Sequence, residues 1–130
     1  MEDSFDSPQK VVARKKLAEQ LLSGASHDEI QEEIMNFFET IGSLLCRGYL
    51  DEELAYGSFS YYGTKWWSAC KDYIIEERHR KGDDQTIFEE FQDLVDTFYK
   101  IEMKERGKTR AELEASRVDI EIFLKEEKNL

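Results

Sequence analysis

Apolar residues recur at steps of three and four along most of the chain, the spacing of a helical face. The widest stripe lies between Asp28 and Leu54, where Ile30, Ile34, Phe37, Phe38, Ile41, Leu44 and Leu45 share one side. Its breadth and its aromatic and branched side chains predict the central helix of a bundle. Ser26 with Glu29 three residues on has the spacing of a capping box, which starts this helix, and Gly48 suits the left-handed residue that closes it after about Arg47.

The same signals place the other helices. Ser7-Pro8 is a helix start, and Ser23-Gly24 ends that first helix. Val11, Val12, Leu17, Ala18, Leu21 and Leu22 form its apolar side, and Lys10, Arg14, Lys15 and Lys16 make the other face basic. Asp51-Glu52-Glu53 sets carboxylates at the N-terminus of a short third helix ending near Gly57. A helix from about Thr64 to Lys81 carries Trp66, Trp67, Cys70, Tyr73 and Ile74. Asp83 or Asp84 caps a long helix to about Arg106, with Ile87, Phe88, Phe91, Leu94, Val95, Phe98 and Ile101 as its core stripe. Gly107 stops it. Thr109 and Glu112 form a second capping box, opening a last helix to about Glu127 through Leu113, Ile120, Phe123 and Leu124.

No alternating run or hairpin dipeptide argues for a strand. The expected class is all-α, an antiparallel helical bundle of five or six helices. Residues 1–7 are expected to be a disordered arm and 8–130 a single helical domain, with the last helix, 109–127, peripheral to it. At 130 residues the chain can bury a proper core without metal or disulfide staples. Two cysteines, Cys46 and Cys70, lie in apolar helical patterns and are expected to be reduced core thiols of a cytoplasmic protein. The acidic start lacks the basic and apolar character of a signal peptide, and no apolar run approaches the ~20 residues that span a bilayer.

The net charge of −11 is uneven. Residues 23–63 hold eight acids against Arg47 alone, and residues 83–103 hold seven against Lys100. Such a surface repels phosphate backbones, so direct nucleic-acid binding is not expected, whereas a basic protein partner suits it.

Catalytic signatures are missing. There is no Gly-x-Ser-x-Gly, no His-Glu-x-x-His and no phosphate-cradling glycine loop, so no enzymatic activity and no cofactor are expected. Glu76 and His79 have the Glu-x-x-His spacing of di-iron bundles. The chain has only two histidines, however, and the second Glu-x-x-His that such a site needs is lacking. Cys70 and His79 stand about 13 Å apart by helical rise, too far for a dyad.

Two features remain as candidate binding chemistry. Glu39 follows two phenylalanines at the edge of the buried stripe, where an unpaired carboxylate is costly. Arg78 is its expected partner, with Arg47 and Lys71 as alternatives. The segment Ser58–Trp67 holds five aromatics in ten residues. Trp66 and Trp67 point about 100° apart on a helix, so both are buried only if that helix is widely covered. Core packing explains them without a ligand; the functional reading is a pocket of Glu39, Tyr61, Tyr62, Trp66, Trp67 and Arg78.

The run Asn36-Phe37-Phe38-Glu39-x-Ile41-Gly42, then Gly48-x-Leu50-Asp51-Glu52-Glu53-Leu54, Phe59, Trp66, Ile74 with Arg78, and Phe88-x-x-Phe91-x-x-Leu94 resembles a bacterial domain family of unknown function. The resemblance covers roughly residues 10–100. It implies an all-α fold, often behind an N-terminal membrane helix that this chain lacks, and it implies no activity or site. The expected function is a non-catalytic protein-interaction or regulatory module. The alternatives are an acidic nucleic-acid-mimicking inhibitor of a host defence or DNA-handling protein, and a small-ligand sensor.

Overall fold

The computed structural model describes residues 4–130. They fold into α1 (Pro8–Ser23), α2 (Glu33–Cys46), α3 (Glu52–Arg80), α4 (Glu89–Arg106), α5 (Arg110–Leu113) and α6 (Arg117–Lys128), with a 3-10 turn over His27–Glu29. No strand occurs among the described residues, and the class is all-α. Where one domain is expected over 8–130, the chain groups into two compact units. One holds the described residues up to Ile34 with Ser116–Leu130; the other is Met35–Ala115.

The larger unit is built on α3 and α4. Trp67 meets Phe91 edge-on at 5.1 Å between ring centroids, and Tyr56 meets Phe98 at 6.0 Å. Positions rise on one helix as they fall on the other, so the pair is antiparallel. The Met35–Cys46 part of α2 completes the core: Phe38 stacks on Phe91 at 5.2 Å, and Ile41 is fully buried. Arg110 fastens α5 by an ion pair to Asp96 at 2.7 Å, with its guanidinium over the Tyr99 ring.

Several element bounds differ from expectation. The short third helix and the tryptophan helix are one 29-residue helix, α3. Gly63 does not break it, because its bare backbone is packing space: a Cβ there would lie 3.2 Å from Phe98 Cε2. The long helix begins at Glu89, not at Asp83 or Asp84. Asp84 instead caps a tight turn, its Oδ1 accepting from Thr86 N (3.0 Å) and Thr86 Oγ1 (2.6 Å). The last helix is two, because Ser116 and Asp119 form a capping box of their own and start α6 afresh. The stop after α2 is as expected: Gly48 has φ of +79° and Tyr49 N donates to Leu44 O. Cys70 is buried, but Cys46 is exposed at the end of α2.

In the smaller unit α1 packs on α6, and the helix expected from Ser26 does not start there. Ser26 Oγ donates to Glu29 Oε1 without capping any amide, and the chain is extended at Ile30. Gln20 explains the break. Its Nε2 donates to Glu29 O (2.7 Å) and its Oε1 accepts from Gln31 N (3.0 Å), satisfying backbone groups that a helix would have paired.

The basic face of α1 is partly interior. Arg14 is 1% exposed; its Nε and Nη2 reach the two oxygens of Glu127 at 2.8 Å each. Its Nη1 donates to Asp6 Oδ1 (2.8 Å) and Phe5 O (3.2 Å), and the Phe5 ring lies under the guanidinium. Lys10 pairs with Glu33 at 3.2 Å. Val12, assigned to the apolar side, is exposed. Of the residues expected as an arm, Phe5 is buried and Ser7 N donates to Ser4 O. The arm's first three residues lie outside the described residues.

Candidate functional site at the N-terminus of α4

Helix α4 starts without a cap of its own. Its N-cap residue is Phe88, held at φ 54° and offering no side-chain hydrogen bond. A bulky residue with positive φ is a backbone outlier and persists only where its surroundings impose it. Two side chains from other helices hold this turn. Glu39 Oε1 on α2 accepts from Phe91 N at 2.7 Å, and Arg78 Nε on α3 donates to Ile87 O at 2.8 Å. Gly42, one turn beyond Glu39, lets α2 approach: a Cβ there would collide with the carbonyl of Glu90.

The expected partner of Glu39 is thereby corrected. Backbone amides at a helix start hold it, not Arg78, Arg47 or Lys71, because those donors are otherwise orphaned. Burial pushes the Glu39 carboxyl above its ordinary range. The amides of Phe91 and Glu90 pull it down, and the carboxylates of Glu90 and Glu89 push it up again.

An open cleft of about 310 Å³ lies against this junction, lined by Glu39, Thr40, Ser43, Leu44, Arg47, Tyr49 and Glu90. Glu39, Ser43 and Arg47 follow at steps of four, so the cleft runs along one face of α2. The rise per residue puts Glu39 and Arg47 about 12 Å apart along the axis. Carboxylates mark the α4 end, a guanidinium marks the other, and two hydroxyls lie between. Tyr49 is 75% exposed beside it.

A family model described as a domain of unknown function (DUF4760) matches residues 2–98. The chain belongs to the DUF4760 family. The matched stretch contains Glu39, Gly42, Arg78 and Phe91, and so the whole junction at the start of α4. Helices α5 and α6 lie beyond it. No curated protein and no solved structure matches the chain.

In this DUF4760 member the six residues expected to line an aromatic pocket are not brought together as one site. Trp66 and Trp67 are core side chains, 0% and 5% exposed. Tyr61 is exposed, meets the half-buried Tyr62 edge-on at 5.1 Å, and has Lys65 Nζ 5.7 Å from its ring centroid. Arg78 is buried against the 81–88 turn, and of the six only Glu39 lines the cleft. Glu76 and His79 engage surface partners, Arg80 and Asp83, at 3.1 Å each. Among the described residues no group of three or more His, Cys, Asp or Glu side chains is placed to hold a metal ion. No helix of the described residues is long and apolar enough to cross a membrane.

Thr40, Ser43, Leu44, Arg47, Tyr49 and Glu90 line the cleft without being expected to: Leu44 reads as core and Arg47 only as an alternative partner of Glu39. The available signal was Gly42: a glycine in the middle of an apolar helix marks a close backbone approach. Such an approach places something at the Glu39 end of α2.

Proposed function

We propose that the chain is a non-catalytic protein-interaction module of the bacterial cytoplasm, docking its partner on the α2 face beside the start of α4. The observation that carries this reading is the cleft itself. It is open, chemically mixed, and built on helices whose junction Glu39, Gly42 and Arg78 hold in place. Binding constellations on such supported elements lose less to ordering when a partner arrives.

The mimic reading draws on net charge alone. Two of the acids are engaged within the protein, since Asp96 pairs with Arg110 and Glu127 with Arg14. The sensor reading asked for a pocket at Trp66, which is core. Relatives tethered by a membrane helix would carry the basic first helix next to the bilayer. Here Lys10 and Arg14 of that helix are engaged within the protein, leaving Lys15 and Lys16 for such a surface.

The test is paired affinity purification from the native host with the wild-type chain and a cleft-filling Ser43→Arg variant of matched circular dichroism and Tm. A partner recovered with the wild type and lost with the variant supports the reading. An unchanged partner set sinks it. Recovery of one salt-sensitive nucleic-acid-handling protein, indifferent to Ser43→Arg, would favour the mimic.

A further inference from the structure

The cleft has a property that a generic docking surface does not need. Its α4 end carries two carboxylates, Glu39 and Glu90, and neither has a side-chain cation within ion-pair distance among the described residues. Glu39 Oε1 accepts from Phe91 N and the Glu90 amide also bears on the carboxyl, yet a carboxylate has lone pairs for further donors. Leu44 and the exposed ring of Tyr49 line the same cleft and supply apolar and π surface.

Resting on the interaction reading above, we propose that the cleft receives a basic side chain, an arginine or lysine of a protein partner's peptide segment, with its cation between Glu39 and Glu90. A guanidinium or ammonium supplies the donors that the carboxylates accept, its aliphatic stem lies along Leu44, and Tyr49 offers a cation–π face. Charge complementarity selects this occupant over an acidic one. Arg47, about two helical turns away, then faces a backbone carbonyl or an acidic neighbour of the inserted residue. The geometry also ties occupancy to the fold. The carboxyl that meets the cation is the one that caps α4, so binding is read out at the Phe91 amide.

The experiment is amide NMR of the full chain titrated with two capped tripeptides, acetyl-Ala-Arg-Ala-amide and its neutral isostere acetyl-Ala-citrulline-Ala-amide. The arginine peptide is expected to shift the Phe91, Ser43 and Tyr49 amides saturably, and the citrulline peptide to bind about two- to fivefold more weakly, the worth of one partly exposed ion pair. Glu90→Gln, which leaves the α4 cap untouched, should erase most of that preference. Equal affinity for the two peptides, or shifts confined to residues away from the cleft, overturns the inference. The partner captured in the paired purification separates the two readings. Loss on Ser43→Arg with full retention on Glu90→Gln keeps the interaction module and rejects the basic side chain. Retention on both rejects the module as well.

Discussion

Glu39 and Phe91, 52 positions apart in the chain, share one hydrogen bond of 2.7 Å, from the Phe91 amide to Glu39 Oε1. That bond caps a helix whose own N-cap residue, Phe88, has no side chain able to do so. A carboxylate borrowed from α2 thus sets where α4 begins, and the cleft forms beside it.

Removing the borrowed cap should cost what a local cap costs. Glu39→Ala is expected to destabilise the chain by about 1 kcal/mol, within the 0.5–2 kcal/mol spread of N-cap deletions, whereas Glu39→Gln keeps an acceptor for Phe91 N and loses less. The pH dependence has a definite sign. The folded-state pKa of Glu39 lies above its reference of 4.5, so the folded state binds this proton more tightly than the unfolded state does. Its contribution is therefore most favourable in acid and declines as pH rises from 4.5 through the folded-state value. Glu39→Gln removes that decline. Urea titrations at pH 4 and pH 7.5 should show the stability of Glu39→Gln, taken relative to wild type, increasing with pH; a relative stability that falls with pH would contradict the assignment.

Two glycines on neighbouring helices should respond oppositely to alanine. At Gly42 a methyl group meets the Glu90 carbonyl, and forcing the helices apart should cost about 1–3 kcal/mol, as overpacking does. At Gly57, inside α3, a Cβ meets nothing within 4 Å. Alanine there should stabilise by about 0.4–1 kcal/mol by restricting the unfolded chain. Thermal melts of the two single variants decide it; equal shifts of the same sign would mean that α2 is not seated tightly against α4.

Arg14 and Glu127 hold α1 to α6 as a buried pair, 1% and 3% exposed. Removing one partner strands the other charge, so Arg14→Ala should cost about 3–5 kcal/mol. Replacing both, as Arg14→Met with Glu127→Leu, should recover most of that loss, because a well-packed apolar pair avoids the desolvation of both ions. A double-mutant cycle by chemical denaturation measures the coupling, and additive losses would show that the pair does not act as a unit.

The two thiols should separate cleanly by accessibility. Cys46 is exposed, while Cys70 is fully buried and burial pushes its thiol far above the ordinary range. Under native conditions a thiol reagent is expected to modify Cys46 quickly and Cys70 only at the rate of unfolding. Two fast thiols, or protection of both, would place these helix faces incorrectly.

What the sequence determined by itself is local. The stripes through Phe38 and Ile41, and through Phe91, Leu94, Val95 and Phe98, define the core because three-four spacing puts those side chains on one face. Ser7-Pro8, Asp51, Gly48 and Thr109 with Glu112 mark ends correctly because each cap acts within one turn of its own helix. Tertiary structure decided whatever depended on a group far along the chain. Gly63 lies inside a helix because Phe98 fills the space above it; residues 30–32 leave the helix because Gln20 satisfies their neighbours; Arg14 turns inward because Glu127 receives it. The start of α4 belongs to this second class. Asp84 carries the local signal, but the orphaned amide of Phe91 is satisfied by Glu39, and a hydrogen bond across 52 positions leaves no periodicity in the sequence to read.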